Sequence, residues 1–305
     1  MSQFFYRIFF GLALAFAAAA AQAKLTVVTT TENLAALARV VGGTHIEVTS
    51  LTRGTQDAHF VEAKPSMIRQ LARADLFLVV GADLEIGWLQ PLLETARNAR
   101  VQPGTPGYLD LSTSVVLLHK PTGPVSRAQG DVHAAGNPHY WLDPRNGLRM
   151  SKAIAVRLTE LDPVHADAFR ANLAAFERQL GERLTQWQAQ LTPLKGQPVI
   201  TYHKSFVYLA HAFGLDIVAE IEPKPGIPPG AAHLQQLIQQ IRAQKIGLLI
   251  MEPYYERRSA DYLREKAGIR IAVVPNSVSG ATGADDYIGL FDVIVHTLAN
   301  NGTPP

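Results

Sequence analysis

The stretch PVHADAFRANLAAFERQLGERLTQWQAQL, residues 163–191, reads as one long helix. Its apolar positions Phe169, Leu173, Phe176, Leu180, Leu184, Trp187 and Leu191 step by three and four residues and so fall along a single face. At 1.5 Å per residue such a helix spans about 43 Å, longer than one small domain needs. The reading is of a backbone that joins two lobes, one half of the chain lying on either side of it.

Outward from that helix, both halves alternate strand-like and helix-like segments. Toward the N-terminus, strands are expected at 25–30, 46–51 and 76–80, with helices at 33–41, 65–74, 84–98 and 146–161. Toward the C-terminus, strands at 199–202, 215–221, 246–251 and 271–274 alternate with helices at 204–213, 231–244, 257–267 and 285–298. Alternation of this kind implies an α/β fold, here two lobes each with a mainly parallel sheet covered by helices. The expected division is a signal peptide at 1–23, an N-terminal lobe at 24–162, a linking helix at 163–192 and a C-terminal lobe at 193–305. Ligands of such sheets bind beyond the carboxyl ends of the strands. His59, His203, Glu252 and Asn276 all fall at such tips.

The first segment gives an address. Arg7 precedes an apolar run from Ile8 to Ala20, and Ala21-Gln22-Ala23 has the small-x-small form of a cleavage site. The run is shorter than the ~20 residues a membrane span needs, so export of the mature chain is expected rather than anchoring. The chain has no cysteine, which excludes disulfides, thiolate metal sites and a lipid-modified cysteine at the cleavage point. The net charge of +2 becomes +1 once Arg7 is removed, a balance that does not suggest nucleic-acid binding.

Three histidines stand apart by context. His139 sits between prolines in Asn137-Pro138-His139-Tyr140-Trp141-Leu142-Asp143-Pro144, and His59 and His203 lie on a loop and a strand tip facing the expected cleft. Three imidazoles suit zinc, and cobalt, nickel or copper bind such sites in an order set by ligand affinity. His45, His165 and His233 read as solvated positions, and His211 and His296 as ordinary helix residues. Residues 118–137, rich in Gly, Pro, Ser, Gln and charge, read as a solvated loop; the sharper alternative is a loop that captures metal through His119 or His133 and passes it inward.

These segments carry a resemblance. Asp57-Ala58-His59 with Glu62 and Pro65-Ser66, the stretch from Asn137 to Pro144, Tyr202-His203-Lys204-Ser205-Phe206 and Met251-Glu252-Pro253 occur in the order seen in the periplasmic solute-binding proteins of zinc and manganese ABC importers. The chain resembles that family nearly end to end. The resemblance implies two α/β lobes on one rigid helix, metal ligation by His59, His139 and His203, a membrane permease as partner, and small rocking motions. Many members place an aspartate ligand after the last strand, where this sequence has Asn276. Glu252 is then the expected fourth ligand, with Asp285, Asn276 or a water as alternatives, while Glu62 and Asp143 are expected in supporting roles. Zinc is preferred over manganese because nitrogen donors outnumber carboxylate oxygens. A monomer is expected. The rival functions are a secreted zinc hydrolase, with Glu252 as general base, and a manganese-binding or adhesin-type member of the same fold. No His-Glu-x-x-His or Gly-x-Ser-x-Gly motif supports the hydrolase.

Overall fold

The computed structural model describes residues 24–123, 125, 130, 132–300 and 302. The expected signal peptide lies outside the described residues. The N-terminal half contains β1 (Leu25–Thr29), α1 (Glu32–Gly42), β2 (Ile46–Ser50), α2 (Pro65–Arg73), β3 (Leu76–Val79), α3 (Leu89–Ala96) and β4 (Tyr108–Asp110). Helix α4 (Pro144–Leu161) and the long α5 (Ala166–Leu191) follow. The C-terminal half contains β5 (Pro198–Thr201), α6 (Val207–Phe213), β6 (Asp216–Glu220), α7 (Ala231–Gln244), β7 (Leu248–Met251), α8 (Arg258–Ala267), β8 (Arg270–Val273) and α9 (Tyr287–Ala299). Each half forms one four-stranded sheet, ordered β2-β1-β3-β4 and β6-β5-β7-β8, and every strand pairing is parallel.

The strands sort their side chains by parity, as a pleat requires. In β3 and its extension Leu76, Leu78 and Val80 face one core while Phe77 and Val79 face another; in β7 Leu248 and Ile250 part from Leu249 and Met251 in the same way. One face of each sheet is covered by its own helices, giving two local cores. The opposite faces of both sheets drain into a single shared core that holds Phe169, Phe176, Trp187 and Leu191 of α5 together with Phe291 and Leu298 of α9. Each such large side chain, fully buried, contributes about 1.5–3 kcal/mol of transfer free energy. The lobes therefore share interior rather than merely touching.

Helix α5 packs on α1, α4 and α9. Asn172 Nδ2 donates to the Val41 carbonyl at 2.9 Å near one end, and Trp187 Nε1 donates to Asp292 Oδ1 at 2.7 Å near the other. Its first expected turn is a 3-10 turn at Pro163–His165, so the α-helix starts at Ala166 and runs 26 residues, or about 39 Å. Helix α9 crosses back to the N-terminal half: the Tyr287 hydroxyl donates to the Trp141 carbonyl at 2.5 Å, and its ring lies against Gly147, where an added Cβ would strike it.

Two local readings need correction. The helix expected at 84–98 begins only at Leu89, because Gly81, Ala82 and Asp83 all take left-handed φ values of 71°, 49° and 65° and turn the chain before it. The buried Glu85 carboxylate holds that turn by accepting from Val80 N at 2.8 Å and Gly81 N at 3.0 Å. The three-residue β4 was not expected; it is a half-buried edge strand, too short to carry a periodic pattern.

Candidate metal centre

The loops past the strand tips build the site. After β2 the chain turns through Asp57, whose Oδ1 accepts from His59 N at 3.0 Å and from His59 Nδ1 at 2.8 Å. Between the two prolines, Asn137 Oδ1 does the same for His139, accepting from its N at 2.9 Å and facing its Nδ1 at 3.1 Å. Past β5, His203 Nδ1 lies 2.7 Å from Glu222 Oε2, which also accepts from Gly226 N at 2.8 Å. A carboxylate only accepts, so the bonds from Asp57 and Glu222 place the proton of His59 and His203 on Nδ1 and leave each Nε2 lone pair free. The amide oxygen of Asn137 favours the same tautomer at His139.

Those three rings meet. Their centroids form a near-equilateral triangle, 5.1 Å for His59–His139, 5.4 Å for His59–His203 and 5.4 Å for His139–His203. One ligand atom from each lies within 4.8 Å of those of the other two. His139 and His203 are buried, at 2% and 3% exposure, and His59 is half-buried. Burial pushes His139 well below the usual imidazole range, with the neighbouring histidines adding to the shift, so its ring stays neutral and able to ligate. At Asp57 burial works to raise the carboxyl, but the hydrogen bond and charge of His59 outweigh it and hold the group below its ordinary value.

The two lobes are stitched at this point. Asn137 Nδ2 donates to the Lys204 carbonyl and the Tyr208 hydroxyl donates to the Asn137 carbonyl, both at 2.8 Å. The residue that orients His139 thus also fixes its distance from His203.

The expected fourth ligand falls elsewhere. Glu252, just past β7, has no exposure and does not join the cluster of mutually close donor atoms. Neither of its oxygens meets hydrogen-bond geometry among the described residues, and desolvation pushes its carboxyl up to about 8, so at neutral pH it is mainly uncharged. A strand tip fixes the side of the sheet but not the depth, and Glu252 is sealed from solvent and outside the histidine cluster. Asp285 is exposed and also outside the cluster. Asn276 borders a small chamber with His59 and His139, and its Nδ2 donates to the Tyr254 hydroxyl at 2.8 Å. Asp143 caps α4 through Arg145 N and pairs with the Arg145 guanidinium; Glu62 is exposed.

Two residues gain importance from the structure. Glu222 sits past the tip of β6, where the same strand-end rule that singles out His203 would have found it. His133 could not be ranked by its loop composition, yet its Nε2 lies 3.3 Å from His59 Nε2. The loop is held there by Ala134 N donating to Asp83 Oδ2 at 3.0 Å. Burial depresses His133 to about 4, so it too is neutral. With exposed His119 it lines a cavity of about 80 Å³ on the outer side of His139 and His203.

The family model described as zinc-uptake complex component A, periplasmic, matches residues 27–301. The chain is 26% identical over 283 residues to the high-affinity zinc uptake system protein ZnuA of Yersinia pestis, across 87% of each chain. It is 27% identical over 261 residues to the manganese ABC transporter substrate-binding lipoprotein PsaA of Streptococcus pneumoniae, across 81% of this chain and 78% of that one. A crystal structure of ZnuA shares the fold, with a TM-score of 0.77 at 23% identity over 92% of this chain and 100% of the other. These relatives are substrate-binding components rather than enzymes, and the hydrolase reading has no support. With the match spanning residues 27–301, the protein belongs to the family of periplasmic component A of zinc-uptake complexes, the metal-binding proteins of ABC importers.

Proposed function

We propose that this protein captures zinc in the periplasm through His59, His139 and His203 and delivers it to the permease of an ABC importer. The observation that carries the proposal is the arrangement of three imidazoles with mutually close donor atoms, two with Nδ1 held by a carboxylate and one by an amide oxygen. That arrangement presents three Nε2 donors to one point, the chemistry that zinc accepts and that manganese, which prefers oxygen, accepts less well. The zinc-uptake names of its relatives favour the same ion. Asp57 and Glu222 add two negative charges behind the ligands and offset the dication that neutral imidazoles leave uncompensated. Glu252 is not assigned as a ligand.

His133 acts as the hand-off residue. It meets His59 Nε2 at the outer side, so a metal held first by His133 and His59 needs only to exchange one nitrogen for two to reach the buried triad. The chain works as an exported monomer, freed by cleavage after Ala23, carrying no lipid and binding no nucleic acid; its partner is the permease.

The test is titration of metal-stripped mature protein with zinc and manganese, alongside alanine variants at His59, His139 and His203. One-to-one zinc binding tighter than manganese binding is expected, with His139→Ala weaker by orders of magnitude. Unchanged zinc affinity in that variant would refute the assignment.

A further inference from the structure

Beside the histidine triad, on a wall that His133 does not share, lies a chamber of about 10 Å³ bordered by His59, His139, Thr31, Asn33, Arg53 and Asn276. It has room for one small species. The Asp57 carboxylate also borders it and is engaged by His59 N and Nδ1, while two further wall residues present donors that have nothing to bind. Asn33 is 1% exposed, and Val278 N occupies its Oδ1 at 2.9 Å, which fixes the amide while leaving Nδ2 without a partner. Thr31, 2% exposed, is the N-cap residue of α1, yet its side chain caps nothing and its Oγ1 is also unpartnered. The positive end of the α1 dipole opens here, and Arg53 stands exposed at the rim. A buried donor without an acceptor is destabilising, so a site that retains two of them calls for an acceptor.

The charges ask for the same thing. A dication on the triad is offset by Asp57 and Glu222, and Arg53 adds one positive charge, leaving a surplus of one. Asn276, in the place where the family resemblance expects an aspartate, supplies none of it. We infer that a small inorganic anion, chloride or another halide, binds in this chamber as the fourth partner of the metal, held by Asn33 Nδ2, the Thr31 hydroxyl and the N-terminus of α1. The inference rests on the three-histidine reading above and assigns the position that this reading leaves open. Such an anion takes over the charge of the missing carboxylate, and zinc and anion each tighten the binding of the other by the same factor.

The probe is sodium bromide against sodium perchlorate at equal ionic strength, perchlorate being too weakly coordinating to take a place on the metal. Zinc affinity of the metal-stripped mature protein is expected to be about tenfold higher in bromide, the worth of one retained charge-assisted hydrogen bond at ~1.4 kcal/mol. Pairing of bromide with free zinc acts in the opposite direction and cannot produce this result. X-ray absorption at the zinc edge is expected to show bromine in the metal's shell. Thr31→Val and Asn33→Asp, the latter keeping the oxygen that accepts from Val278 N, are expected to bind zinc in either salt with no bromide enhancement and no bromine signal. Equal affinity in the two salts with only light atoms around zinc would mean that a water fills the chamber, and would overturn the inference while leaving the three-histidine site standing. Absence of zinc binding in both salts would overturn that site and the inference together.

Discussion

Replacing Glu222 by glutamine changes one charge and little of the shape around His203. In the native protein Glu222 Oε2 accepts from both His203 Nδ1 and Gly226 N, and its side chain is only 6% exposed. A glutamine oxygen is able to accept the same two bonds, so the ring and the Pro223–Pro229 loop keep their places while the negative charge disappears. Taken across the imidazole ring, about 6.5 Å from a bound dication, that charge contributes up to about 5 kcal/mol at an effective dielectric constant of about 20. The retained amide dipole and relaxation of the site reduce this, and losses at carboxylates behind metal-bound histidines run at about 10- to 100-fold, or ~1.4–2.7 kcal/mol. Competition of metal-stripped Glu222→Gln against a chelating dye should therefore show zinc affinity reduced within that range, with the thermal unfolding of the metal-free protein close to native. Glu222→Ala removes the two hydrogen bonds as well and should lose more. Wild-type affinity in Glu222→Gln, or equal losses in both variants, would show that the residue merely props the ring and that its charge is irrelevant to the metal.

Two further outcomes follow from features outside the triad. His133→Ala should slow zinc loading in stopped-flow mixing by about tenfold while changing the equilibrium affinity by less, since it removes one contact worth ~1.4 kcal/mol at the outer side and leaves the triad intact; an unaltered loading rate would remove its hand-off role. Glu85 predicts a pH dependence of stability, because desolvation raises its carboxyl from 4.5 to about 7. Between those values the folded chain binds the extra proton, so stability falls as pH rises from about 4.5 to 7, by about 3 kcal/mol in total, and levels off above. Denaturant unfolding across that range should show a flatter profile in Glu85→Gln, and an identical slope would place the titrating group elsewhere.

Much of this architecture is visible in the residues themselves. The three-and-four spacing in α5 marks a helix buried along one side, and the alternating parities of β3 and β7 are those of strands buried on both faces. The triad is legible because a histidine between prolines or past a strand tip has little structural reason to be there. What escapes is depth and long-range anchoring. Glu252 has the right address on the sheet but is fully buried and outside the cluster, a distinction that only packing makes. His133 owes its place to Asp83, 50 residues earlier, through the bond to Ala134 N. Asp83 in turn depends on a left-handed turn clamped by Glu85. No local pattern encodes a contact of that kind.

The shared interior has a kinetic consequence. In binding proteins whose lobes part about a hinge, the same opening motion sets how tightly cargo is held and how fast it leaves. Here both sheets feed one apolar core with α5 and α9, and Asn137 locks the spacing of His139 from His203, so wide parting would expose buried surface on a scale that a transient opening does not reach. On the proposed three-histidine site with His133 as hand-off residue, residence time and affinity are governed by different residues: the triad and its carboxylates set the depth of the well, and the few bonds that seat His133 over the outer side set the height of the exit. A permease that loosens the Asp83–Ala134 contact could draw zinc out without first weakening the site that holds it.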